Sequence, residues 1–302
     1  MLSTCTFAQT ENPEPGPRSV DEAKLLYQEG SAAVTAKKYA DATRSLERFV
    51  ERYPSDPNIQ QAYLGLIEAL FNEKKYEATV ETTKQFLSLI VPEDKANRAR
   101  QYQAEADLNL HEYLSARLIS DELLKNNPSS RQKAAAFAIK FQSFLEEKQY
   151  IEARRQMDAL DELLSKESID PYSRLLPEFK MTLAIRECTT SHLLQHKAFE
   201  EDELTDYFTE KNLCFKSALP NAVNGMSDTA VQEWCESFTF LNHELEAMRI
   251  DKFLKEKLNT DLKATLEFSK TLSPGFSKCY EPYKPKPVKS KKRHRKRSVH
   301  PS

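Results

Sequence analysis

Only 5 of the 302 residues are glycine, far below the ~7% usual in soluble proteins. The five (Gly16, Gly30, Gly65, Gly225, Gly275) stand apart from one another. No G-x-G-x-x-G or G-x-x-x-x-G-K-[ST] pattern passes through them, which argues against the phosphate-cradling loops of nucleotide-binding α/β enzymes. H-E-x-x-H, G-x-S-x-G and C-x-x-C are likewise missing, so no enzyme signature is present and no cofactor is expected. No apolar run approaches the ~18 residues that span a bilayer. Acidic pairs at helical spacing do occur, as they must among 46 carboxylates, and read as solvated helix faces. A helical, non-enzymatic chain is what these absences leave.

The net charge of −2 conceals a division. Nine bases and no acid lie between Lys284 and the end; without them, 35 bases face 46 acids, a body near −11. Pro282, Pro285, Pro287 and Pro301 punctuate this cationic stretch, which has almost nothing apolar to bury, so residues 276–302 are expected to be disordered. Lys289, Lys291, Lys292, Arg293, Arg295, Lys296 and Arg297 form its densest part. These would bind a polyanion, nucleic acid or anionic lipid, by counterion release. No aromatic is interleaved among them to stack on bases.

The body carries a repeat. KKYADA from Lys37, KKYEAT from Lys74, HEYLSA from His111 and KQYIEA from Lys148 place Tyr39, Tyr76, Tyr113 and Tyr150 at three equal intervals of 37 residues. Seven residues before each tyrosine stands a small residue (Ala32, Ala69, Ala106, Ser143). Three after it come Ala42, Thr79, Ala116 and Ala153, and ten after it Phe49, Phe86, Leu123 and Leu160. Small residues at recurrent sites let helices approach closely while a large apolar side chain fills the gap beside them. Pro54, Pro92 and Pro128 fall where a second helix should stop. The pattern predicts four helix–turn–helix units over residues 19–166, with Ser19 and Glu22 as a capping box for the first helix. The tyrosines themselves read as packing.

These positions resemble the tetratricopeptide repeat, and RYPSDP (Arg52–Pro57) followed by AYLGLIEALFNEKKYEAT is similar to its bacterial envelope subgroup. The resemblance covers about half the chain and departs from the family in period, 37 rather than 34. It implies an all-α, right-handed superhelix of antiparallel pairs that binds a protein or peptide in a groove lined by first helices. By register, the lining would be Lys24, Tyr27, Ser31, Gln61, Leu64, Glu68, Asn72, Arg98, Gln101, Glu105, Asn109 and Gln142. Asn72 and Asn109 occupy equivalent places, where an amide would grip a ligand's backbone. The family's carboxylate clamp is not matched, since Tyr27 stands where a lysine is needed.

Beyond the repeat, residues 167–275 remain helical in pattern, with runs from Pro177, Glu200, Ser227 and Arg249 and a single tryptophan, Trp234, as an interface anchor. This region holds Cys188, Cys214, Cys235 and Cys279. An even set confined to one region fits two disulfides in an oxidising compartment, in any of three pairings. Cys188, His192 and His196 share a helical face but are spread over ~12 Å, too far for one metal ion to bridge all three. An adjacent pair such as His192 and His196 could bind one, but a fourth-ligand set is lacking and no metal site is expected.

Residues 1–18 read as a leader. Thr6-Phe7-Ala8 resembles the end of a secretory signal cleaved before Gln9, and Leu2-Ser3-Thr4-Cys5 a lipoprotein box. Together with the cysteines this favours a periplasmic or envelope location over a cytoplasmic one. The leading functional expectation is a partner-binding scaffold, with polyanion binding by the tail as the alternative.

Overall fold

A computed structural model describes residues 17–189, 201–219, 228–247, 250–272 and 274–279. The expected signal remnant, Cys5, His192, His196 and the basic residues from Lys284 onward lie outside them. Among the described residues are twelve α-helices, a closing 3-10 turn and no strand. Eight helices form four pairs: α1 (Pro17–Thr35) with α2 (Tyr39–Arg52), α3 (Ile59–Asn72) with α4 (Tyr76–Leu87), α5 (Glu93–Asn109) with α6 (Tyr113–Lys125), and α7 (Ser130–Glu146) with α8 (Tyr150–Lys166). Then come α9 (Tyr172–Thr189), α10 (Glu201–Ala218), α11 (Asp228–Ala247), α12 (Lys252–Leu272) and the 3-10 turn Pro274–Cys279. The chain divides into two compact units between Leu183 and Ala184, within α9.

In the first unit all four second helices begin at the repeat tyrosine. The turn before each is made the same way. Lys37, Lys74, His111 and Lys148 take φ of 56°, 61°, 62° and 60°, a left-handed conformation that a side chain normally resists by roughly 1–2 kcal/mol. The amide of the next residue then donates back to the helix it has left. These bonds are Lys38 to Ala33 at 2.8 Å, Lys75 to Leu70 at 3.0 Å, and Glu112 to Asp107 and Gln149 to Phe144 at 2.9 Å. This is the Schellman closure, usually built on glycine. Here exposed lysine or histidine fills the position in every repeat.

The repeat positions form the core. Ala42, Thr79, Ala116 and Ala153 are all fully buried, as are Phe49, Phe86, Leu123 and Leu160. Ala69, Ala106 and Ser143 are buried too, but Ala32 is exposed. The reason is positional. In later repeats this small residue faces the preceding second helix, as Ser143 does when it donates to the Tyr113 carbonyl at 3.2 Å. No pair is described before α1. Each second helix packs on the next first helix, and α1, α3, α5 and α7 also pack on one another in sequence. The first helices therefore form a continuous row along one face.

Three local expectations need correction. Ser19 lies inside α1, which starts at Pro17, a favoured residue for the first helical position. The Glu22 carboxylate accepts from Arg52 at 2.7 Å and Tyr53 at 3.0 Å. Pro92 does not stop α4, which ends at Leu87; it is the extended N-cap residue of α5, with ψ of 146°. Pro177 does not open a helix but sits inside α9, five residues after its start. That early part of α9 packs with the fourth pair, Phe179 lying 4.9 Å from Phe141 and Lys180 pairing with Asp161 at 2.6 Å.

The second unit replaces repetition with an aromatic core and two disulfides. Trp234 is fully buried, stacked on Phe238 at 4.6 Å and met edge-on by Phe215 and Phe276. Its indole N–H donates to the Phe215 carbonyl at 3.3 Å. The four cysteines stand as Cys188–Cys214 and Cys235–Cys279. Closing loops of 26 and 44 residues stabilises by about 3–4 kcal/mol each on chain-entropy grounds. Beside the first disulfide, buried Lys211 donates to the Cys188 carbonyl, and Tyr207 donates to Glu244 at 3.0 Å. Burial pushes the lysine down and the carboxyl up.

Leu46 links the first two pairs. A Cβ on Gly30 would lie 2.5 Å from Leu46 Cγ, and one on Gly65 3.1 Å from Leu46 Cδ1. Alanine is the better helix former by about 1 kcal/mol, yet Gly30→Ala is expected to destabilise by ~1–3 kcal/mol because the neighbouring leucine branch point cannot withdraw. Adding Leu46→Ala removes the clash, so urea denaturation of the two single variants and the double should be clearly non-additive. Additive losses would mean that the glycine is not a packing requirement.

Candidate functional site

Register distributes the expected groove residues over two fates. Leu64 turns into the core rather than lining a groove, and Tyr27 is half-buried against the core's edge. Tyr27 packs 5.6 Å from Phe49, and Leu64 is 2% exposed in a cluster with Ile67, Phe86 and Ala99. The tetratricopeptide resemblance places both on the inner row by register, but an apolar side chain at that row's edge rotates toward its own pair. Lys24 and Gln61 are exposed, and Ser31 is half-buried, its carbonyl accepting from the Thr35 hydroxyl at 3.0 Å. Glu68 and Arg98 face each other across α3 and α5 as an ion pair at 2.5 Å.

Asn72 and Asn109 behave alike, as their equivalent positions require. Each amide donates at 2.7 Å to the carbonyl four residues earlier, Glu68 or Glu105, closing the last turn of its own helix. One N–H of each is therefore committed, while the amide oxygen and the second N–H are available to a ligand.

Glu105, Asn109 and Gln142 do come together. They line a cavity of about 220 Å³ between α3, α5, α7 and α9. Phe71 closes one side, itself held against Tyr76 at 5.6 Å and Tyr102 at 5.4 Å. Leu108, Ala135, Ala138 and Ile139 form the floor. Tyr172, Leu175 and Phe179 of α9 form the remaining wall, a contribution that a helix starting at Pro177 would not include in full. Their i, i+3, i+7 spacing was the available signal. The volume is below the ~300–1,000 Å³ of pockets for drug-sized ligands and suits one side chain.

Glu105 is the unusual group. Burial, the largest influence, holds its carboxyl above the ordinary value, opposed by the Gln101 amide and by Arg131. The Gln101 donation is 2.9 Å long, and no base is within ion-pairing distance among the described residues. Tyr172 is pushed up to about 12, by burial first and then by Glu105, against Arg131. Tyr102 is raised chiefly by burial, with Glu68 adding to it. No nucleophile with a matched base stands here, and no group of three metal-ligating side chains occurs among the described residues.

A raised carboxyl binds more protons folded than unfolded between its ordinary and its folded value, so it lowers stability as pH rises through that interval. The charged and titratable groups facing Glu105 are Tyr102 on its own helix α5, Arg131 from α7 and Tyr172 from α9. Glu105→Gln is therefore expected to melt higher than the parent at neutral pH, the difference closing as the medium is acidified. Thermal melts across that range decide it; a lower melting temperature at neutral pH would make the carboxylate a structural anchor instead.

A family model described as outer membrane lipoprotein, YfiO, matches residues 20–102, from α1 into α5. Phe71 apart, the cavity lies beyond that stretch. Among solved structures, a tetratricopeptide repeat protein from Parabacteroides merdae is similar over 86% of this chain and 97% of that one, with 11% identity and a TM-score of 0.50. The fold is thus of the tetratricopeptide type. No curated protein matches the sequence.

Proposed function

We propose that this chain is a non-enzymatic scaffold that binds an extended segment of a protein partner along its row of first helices, in the cell envelope. The observation that carries this reading is the cavity itself. Four successive odd-numbered helices converge on a side-chain-sized space with a destabilised carboxylate at its edge and two amides beside it. A feature that costs stability without supporting the fold is characteristic of a binding site. Stacked helix pairs present such an inner surface by their construction.

The test is placement of a photo-crosslinking residue at Gln142, on the cavity, and separately at Leu118, an exposed position on the second helix α6. In native envelope preparations Gln142 should yield a discrete protein adduct and Leu118 none. The same adduct should form in a chain ending at Tyr283, which lacks the basic tail. Loss of the adduct on truncation would favour polyanion or partner binding by the tail, and equal adducts at both positions would remove the groove from consideration.

The envelope location is supported by the two disulfides and by the outer membrane lipoprotein family match, since such bonds persist in oxidising compartments. Intact mass spectrometry after alkylation of unreduced protein should find Cys188, Cys214, Cys235 and Cys279 all unmodified, and all four modified after reduction. Four free thiols in freshly isolated material would place the chain in a reducing compartment.

A further inference from the structure

The 37-residue register allows the cavity to be compared with its own counterpart one repeat earlier. Glu68 and Glu105 are equivalent positions, and so are Arg98 and Ala135. In the earlier repeat Arg98 reaches across from α5 and pairs with Glu68 of α3 at 2.5 Å. In the later repeat the acid is kept but the base is replaced by alanine. Ala135 lines the cavity that faces Glu105. The cavity lies where an internal salt bridge has lost its cation.

We propose, building on the scaffold reading, that this cavity receives the basic side chain, lysine or arginine, of the bound segment, whose cation pairs with Glu105 as Arg98 pairs with Glu68. The surroundings suit such a guest. Phe71, Tyr172 and Phe179 offer apolar surface for the methylene stem and ring faces for the cation. Asn109 and Gln142 stand beside Glu105 in the lining, and Gln142 has no hydrogen-bond partner among the described residues. Both amides can bond the backbone of an extended peptide. The acid is only partly compensated, with one neutral donor at 2.9 Å and Arg131 acting from farther away. A half-buried, underpaired carboxylate gains from an arriving cation, because partial removal of competing water strengthens a charge-assisted bond.

The test uses the full chain, isotope-labelled for NMR, and four capped amino acids: acetyl-lysine amide, acetyl-arginine amide, acetyl-norleucine amide and acetyl-glutamate amide. Lysine and arginine amides should give saturable shifts at Glu105, Ala135 and Tyr172, at millimolar concentration as befits a one-residue ligand. Norleucine, the same stem without the charge, should bind at least ~10-fold more weakly, about 1.4 kcal/mol. Glu105→Gln should abolish the preference for lysine over norleucine, whereas Arg131→Ala, which removes a competing charge at an exposed position, should strengthen lysine binding. Equal binding of lysine and norleucine, preferred binding of glutamate, or no saturable shift with any probe would each overturn the proposal. None of these results bears on the adduct at Gln142, which tests the groove separately. Conversely, lysine selectivity without any adduct would uphold the cavity's chemistry and reject the partner-binding groove.

Discussion

Everything in the first unit depends on a left-handed turn residue repeated every 37 positions. At Lys37, Lys74, His111 and Lys148 the backbone reverses sense for one residue. The returning amide bond to the preceding helix then fixes the angle at which the next helix leaves. Because the four turns share one geometry, residues at equal offsets meet equal surroundings. That is why Ala42, Thr79, Ala116 and Ala153 are all buried to the same degree. A conformation unfavourable by roughly 1–2 kcal/mol in an L-residue persists because burial on both sides over-determines it. A fully buried Phe49, Phe86, Leu123 or Leu160 each brings ~1.5–3 kcal/mol of apolar transfer.

The two units reach stability by different physical routes. In the first, each pair covers the apolar face of the next, and the contribution is spread along the chain. In the second, no such register exists. Trp234 and three phenylalanines concentrate the core, and two covalent links restrict the unfolded chain. The concentrated core also tolerates a buried Lys211, Tyr207 and Glu244, with the lysine and tyrosine each given a definite acceptor.

The helices of the repeat were legible because tyrosine marks each second-helix start without exception. The left-handed turns were hidden, because the usual marker is glycine and here a lysine or histidine occupies the site. The fold could not be misread on that account, since the tyrosine two residues later reports the same event. The beginning of α9 was illegible for a different reason. Proline is a strong sign of a first turn, and nothing local distinguishes Pro177 from one, although Tyr172 and Leu175 already carry the helical stripe. In the groove, residue type misled at Leu64, where apolar surface found the core. Polar positions remained on the inner row, but only distances reveal which of them are already paired with each other.

Repetition makes those pairings informative. A solenoid's equivalent positions share geometry, so a difference between them reports sequence alone. Glu68 and Glu105 begin from the same place on successive first helices. One is neutralised at 2.5 Å by an arginine of the neighbouring helix, and the other faces alanine, two ring-bearing residues of α9 and open space. If the fold needed the ion pair, the third repeat would be defective; if it needed neither charge, the acid at 105 would cost stability for no return. Keeping the acid while removing the base leaves, on the proposed reading, a site that the bound segment's cation completes. Where a repeated scaffold departs from its own pattern beside a cavity that keeps an acid, as at Ala135 facing Glu105, a ligand cation accounts for the departure.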